Sequence, residues 1–184
     1  MTHFVATEFD NRNKLEKYLN ANGISYDAQG KNAKTNDLVL LKHIFKDLYW
    51  SGSAQWTEFA TEQTLAEWSE GYLKYEIDKT SQLLTYTDLN GDRNLAWGVI
   101  NPITGKVILA PALLQESVYQ LAKTFIHEQT HSIDFKLGYL SNFMNPFNEF
   151  KAYAEEAKWT GFFSPKIKEY LPGVANILSL ISFH

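Results

Sequence analysis

The chain predicts an α+β fold: helices first, then a small antiparallel sheet, then two long helices. Three observations carry this. Apolar residues recur at helical spacing before residue 80. Short apolar runs separated by turn residues occupy 83–110. Two uninterrupted helical stretches follow, one from 117 to 137 and one from 145 to about 159. The 184 residues suit one domain, with residues 1–80 as its helical part and 81–184 as its sheet and paired helices.

Residues 8–22 read as a polar amphipathic helix stopped at Gly23, followed by a loop from Asp27 to Thr35. Asn36 and Asp37 then offer a cap for a helix from Leu38 to Trp50, with Ser51 and Gly52 as its stop. Residues 57–79 read as further helix, with Trp68, Tyr72 and Tyr75 as packing aromatics. Asn90-Gly91, between Leu83–Thr87 and Leu95–Ile100, is a strong hairpin signal. The oxygens of Asp88 to Asn94 suggest a calcium loop. Gly91 stands fourth instead of sixth, however, and Val99 holds the twelfth place where Glu is required, so the segment reads as a turn. A second hairpin joins the run 95–101 to 106–110 through turn residues 102–105. The apolar end, 172–184, reads as a terminal helix packed on the body.

The next helix carries the chemistry. Ser117 to Leu137 holds no Pro or Gly, and Gly138 ends it. Val118, Leu121, Ala122, Phe125 and Ile126 form its apolar stripe. On the other side, beside Gln120 and Thr124, lies His127-Glu128-Gln129-Thr130-His131. Residues four apart on a helix stand one above the other, so two imidazoles can hold one ion. This H-E-x-x-H spacing suits a zinc ion (Zn2+) on His127 and His131, with Glu128 as general base toward a metal-acidified water. A polar cleft is expected on that side of the helix.

A catalytic zinc takes three protein ligands. The chain has no cysteine, and His3, His43 and His184 lack the required downstream spacing. The helix after Asn145-Pro146, stopped by Gly161, supplies carboxylates instead. Glu149 ranks first as third ligand. Glu156 shares its face and is the runner-up or a partner that orients a ligand, whereas Glu155 points away into solvent.

These residues resemble the gluzincin metallopeptidases, nearest to the anthrax lethal factor catalytic domain and the Mlc titration factor peptidases. The likeness spans residues 125–165: H-E-x-x-H at 127–131, Asp134 three residues on, the run Glu149-Phe150-Lys151-Ala152, and Phe162-Phe163. It implies a zincin-like fold, Glu149 as ligand and Glu128 as base. Tyr153 stands where the family carries a carboxylate that orients a histidine, a task open to Glu156 or Asp134. Asn142 stands where lethal factor places an oxyanion-binding tyrosine, which leaves Tyr139 and Tyr153 as substitutes.

The expected activity is a zinc-dependent metalloendopeptidase acting on a protein or peptide substrate that adds to the strand region 95–110. The alternatives are a zinc amidase or endopeptidase on cell-wall peptide, or an inactive zincin-like binding module. A net charge of −4 gives no reason to expect nucleic acid as partner. No stretch reaches the ~20 apolar residues of a membrane span, and the start is too polar for a secretory signal. The expected location is the cytoplasm, or export without a classical signal peptide, as for injected toxins and effectors.

Overall fold

The computed structural model describes residues 14–26, 32–46, 56–68, 74–88, 90–101, 104–138, 146–162 and 164–172. Within them the architecture is α+β, with helices around two small three-stranded sheets.

Helix α1, Lys14–Ala21, buries Leu15 and Leu19, and Gly23 follows at φ +78°. Helix α2, Thr35–Phe45, buries Leu38, Leu41, Ile44 and Phe45. It starts earlier than the cap reading of Asn36-Asp37 places it. Asp37 lies inside the first turn, and its carboxylate accepts the Lys34 N–H at 2.7 Å. That contact satisfies an otherwise unpaired donor at the helix start.

The helical reading of 57–79 is corrected by the structure. The segment holds strand β1 (Thr57–Phe59), helix α3 (Glu62–Trp68) and strand β2 (Tyr75–Ile77). Thr61 and Thr64 open α3 by exchanging backbone N–H to hydroxyl bonds at 2.8 and 3.1 Å. Both strands carry β-branched and aromatic residues; β1 finds its partner far along the chain, in β6, whereas β2 pairs with the next strand. Of the three aromatics expected to pack, Tyr75 lies in the core. Tyr72 and the Trp68 side chain lie outside the described residues.

Strand β3 (Leu84–Thr87) pairs antiparallel with β2 and with β4 (Arg93–Ala96). The β3–β4 turn carries Gly91 at φ +88°. One Asp88 carboxylate oxygen accepts the N–H groups of Asn90 and Asp92, at 2.9 and 3.0 Å, and the other accepts Asn94 Nδ2 at 3.1 Å. These bonds hold its carboxyl below the usual range and make it a turn cap.

Strands β5 (Gly98–Ile100) and β6 (Val107–Leu109) form the second hairpin. The apolar run 95–101 is therefore shared between two sheets, broken at Trp97. The sheet containing β6 is mixed, not purely antiparallel, because β1 joins it parallel, Thr57 opposite Val107. Its order, β1-β6-β5, puts β5 on the outside. Central β6 is covered on both faces. Val107 and Leu109 join a core of α1, α2 and the metal-motif helix, whereas Ile108 joins one with Leu65, Tyr75 and Leu84. That explains an apolar run without alternation.

Helix α4, Val118–Lys136, is capped by the Ser117 hydroxyl on Gln120 N–H and ends before Gly138 at φ +75°. Helix α5, Pro146–Thr160, packs against it and ends before Gly161 at φ +72°. No helix among the described residues is long and apolar enough to cross a membrane. The terminal helix expected over 172–184 lies outside the described residues beyond Pro172.

Candidate metal centre

Helix α4 is buried on nearly every side through its second half, which modifies the expectation of an open polar face. Glu128 is 7% exposed and His131 6%, while Gln129, Ser132 and Asp134 are fully enclosed. Each enclosed polar group found here ties α4 to a neighbour. Gln129 Nε2 donates to the Thr57 hydroxyl at 2.5 Å, and the Ser132 hydroxyl donates to the Gly105 carbonyl at 2.9 Å. Asp134 forms an ion pair with Lys151 of α5. Sheet and helix therefore fix the rotation of α4 about its axis, and with it the direction of the motif side chains.

His127, His131 and Glu149 come together. The two Nε2 atoms stand 3.2 Å apart. One Glu149 carboxylate oxygen lies 3.5 Å from His127 Nε2, and the other lies 3.2 Å from His131 Nε2. Ligand atoms bound tetrahedrally at ~2.0–2.1 Å from zinc stand ~3.3 Å from one another. Each histidine meets a different Glu149 oxygen near that spacing, and the donors are of the N and O types that zinc accepts. Charge points the same way. Glu128, Glu149 and Glu156 crowd this region against one ammonium, Lys123, which lies 3.3 Å from Glu156. With neutral imidazoles the surplus is two negative charges, which a divalent cation balances. The residues present could hold a metal ion.

The two histidines of the cluster are held unequally. His127 Nδ1 meets the Glu156 carboxylate at 2.6 Å, on the side of the ring away from Glu149. Of the two carboxylates that the sequence leaves open for orienting a histidine, Glu156 is the one in contact with His127. Asp134 pairs with Lys151 instead. Among the described residues, Glu155, partly buried, pairs with Lys158 at 3.1 Å.

The surroundings tune each group. Burial raises the Glu128 carboxyl, and Glu149 and Glu156 raise it further, against the lowering pull of the two imidazoles. Burial alone lowers the His127 imidazole. The Glu149 and Glu156 carboxylates outweigh it and push it up to about 10. Glu149 is pulled well below the usual carboxylate range: burial opposes this, but bonds from both histidines prevail.

Tyr153 sets its ring edge-on to His127, with centroids 4.7 Å apart and planes at 67°. Burial and then the Glu149 charge keep its phenol protonated well above the ordinary value. Tyr139, the other expected oxyanion donor, lies outside the described residues. Three features escaped the sequence reading. Lys123 supports Glu156, and its place four residues before His127 is a legible signal. Tyr170, in the helical segment 167–172, stacks on Tyr153 with ring centroids 5.9 Å apart. Gly98 of β5 lies against Glu128: a Cβ there would stand 2.7 Å from Glu128 Cγ.

No family model, curated protein or solved structure matches this chain.

Proposed function

We propose that this protein is a zinc-dependent metalloendopeptidase with a zincin-like catalytic core, of the gluzincin kind. The observation that carries the reading is the cluster itself. Two imidazoles and a carboxylate lie 3.2–3.5 Å apart beside a buried glutamate of raised basicity. A zinc ion on His127, His131 and Glu149 would supply a Lewis acid and a water acidified to a pKa of ~7.

The chain's own groups provide the rest. The Glu128 carboxylate takes a proton from the attacking water and returns it to the leaving amine, a role favoured by a carboxyl pKa shifted toward neutrality. The Tyr153 phenol, beside His127, keeps its proton and would donate to the oxygen that gains charge. Strand β5 supports an extended peptide substrate. Trp97 O accepts Ala110 N–H and Asn101 N–H reaches Lys106 O, so odd-numbered residues bond to β6. Gly98 and Ile100 therefore turn their N–H and C=O groups away from β6, the side on which a substrate strand would add.

Metal analysis and a peptide-library cleavage profile test this, with Glu128→Gln as control. The expected result is one zinc per chain in both proteins, with cleavage reduced by about 10²–10⁴-fold in the variant. A wild type that binds no zinc, or that cleaves no better than the variant, would sink the proposal.

A further inference from the structure

Gly23, Gly91 and Gly138 face open space, but Gly98 and Gly105 do not. Both of these belong to the β5–β6 hairpin, and both lie against α4. A Cβ on Gly98 would stand 2.7 Å from Glu128 Cγ, and one on Gly105 would stand 2.6 Å from Phe135 Cδ1. Gly105 also has φ +71°, in the left-handed region that favours glycine. Glycine at these two places lets the hairpin lie directly on the helix.

The hairpin is fastened to α4 as well as fitted to it. The fully buried Ser132 hydroxyl donates to the Gly105 carbonyl at 2.9 Å. Asn101 stiffens the turn on the strand side. Its carbonyl accepts the Gly105 N–H at 2.8 Å, and its side-chain oxygen accepts the Thr104 N–H at 3.0 Å. Between these ends, Val107 and Leu109, the β6 partners of Ile100 and Gly98, pack in one core with Leu121 and Phe125 of α4. The hairpin and α4 thus meet at two separate points: Gly98 at Glu128, and Gly105 at Ser132 and Phe135. Glu128 and Ser132 are ~6 Å apart along the helix axis. Gly98 to Asn101 covers ~10 Å of strand. One contact would leave the strand free to pivot, whereas two fix its direction along the helix.

We propose that Ser132 and Phe135, gripping the hairpin turn at Gly105, form a latch that positions the free edge of β5 so that an extended peptide lying on it presents its scissile bond to Glu128. The proposal rests on the peptidase reading above and deepens it. The substrate is a peptide long enough to pair along β5, and the latch matters only for such a substrate. Ser132 and Phe135 touch neither the metal donors nor the peptide. They are positioning residues that act through β5.

Kinetics of the zinc-loaded intact chain tests this with two peptides cut at the same bond. One is an octapeptide taken from the cleavage profile, and the other is its blocked dipeptide, too short to pair along β5. Ser132→Ala should lower kcat/KM for the octapeptide by about 10–100-fold and leave that for the dipeptide within about threefold. Zinc content should not change. Gly105→Ala, which forces the turn away from Phe135, should give the same split between the peptides. Should Gly105→Ala not fold, Ser132→Ala decides alone. Equal losses on both peptides mean that Ser132 serves only stability, and they overturn the proposal. Wild-type values on the octapeptide overturn it as well. A wild type that cleaves nothing in the library overturns the peptidase reading itself, a result distinct from a variant that cleaves as well as wild type.

Discussion

Glu149 serves two imidazoles at once, and its neighbours on α5 do not. Each of its oxygens faces a different histidine, whereas Glu155, six residues on, meets only a surface lysine. Glu149→Ala should therefore lower zinc affinity by more than about 100-fold, beyond the loss expected for a residue that only orients a ligand. Glu155→Ala should leave affinity within about threefold, as for an exposed ion pair. Zinc retained after dialysis against a weak chelator measures both, and equal losses would remove Glu149 from the ligand set. At this scale much was legible. His127, Glu128 and His131 share one helix, so their spacing alone implies convergence. Glu149 was legible because Pro146 and Gly161 mark the bounds of its helix. Gly98 was not legible, because its contact with Glu128 depends on how β5 lies across α4, which no local pattern records.

Under the proposed function, the contact between β5 and α4 would couple the substrate edge to the general base. Gly98 is buried, and its missing side chain leaves the space that Glu128 occupies. Gly98→Ala puts a methyl 2.7 Å from Glu128 Cγ, so the glutamate or the strand must shift. A displacement on the order of 1 Å at a catalytic group lowers turnover by roughly 10²-fold. The expected outcome is kcat/KM reduced by about that factor, with zinc content unchanged because all three ligands are untouched. Steady-state kinetics beside metal analysis checks it, and wild-type kinetics would show that β5 does not govern the base. Elements differed in how readily they could be read. Helices α4 and α5 carry their own start and stop residues. The 90–91 hairpin carries its own turn. Strands β1 and β2 are three residues long, too short to show an alternation, and β1 exists because of a distant partner, Thr57 pairing with Val107. Their sequence therefore looked like a continuation of helix.

At the scale of the whole molecule, α4 is a central element whose first half fills the apolar core and whose second half gathers charge. Val118, Leu121, Phe125 and Ile126 pack with α1, α2 and β6, while Glu128, His131 and Asp134 are buried further along the same helix. Concentrating carboxylates there makes stability depend on a compensating cation, which is either a proton or a metal ion. Without metal, the proton sits on His127, whose folded-state pKa of about 10 lies above its ordinary value of 6.5. A raised pKa contributes stability that is complete below about 6.5 and is lost as pH rises through about 10. The metal-free protein should therefore lose Tm across that window. The zinc-loaded protein should not lose this contribution, because His127 has already given up its proton to ligate. Zinc also competes better as protons become scarce, so its affinity rises over the same range. At free zinc ~1,000-fold above Kd, the stabilisation amounts to ~4 kcal/mol. The gap in Tm between zinc-loaded and chelator-treated protein should widen steadily from pH 6.5 to 10. Thermal melts at fixed free zinc across that range measure it. A gap that stays flat or narrows would mean that His127 does not exchange its proton for the metal.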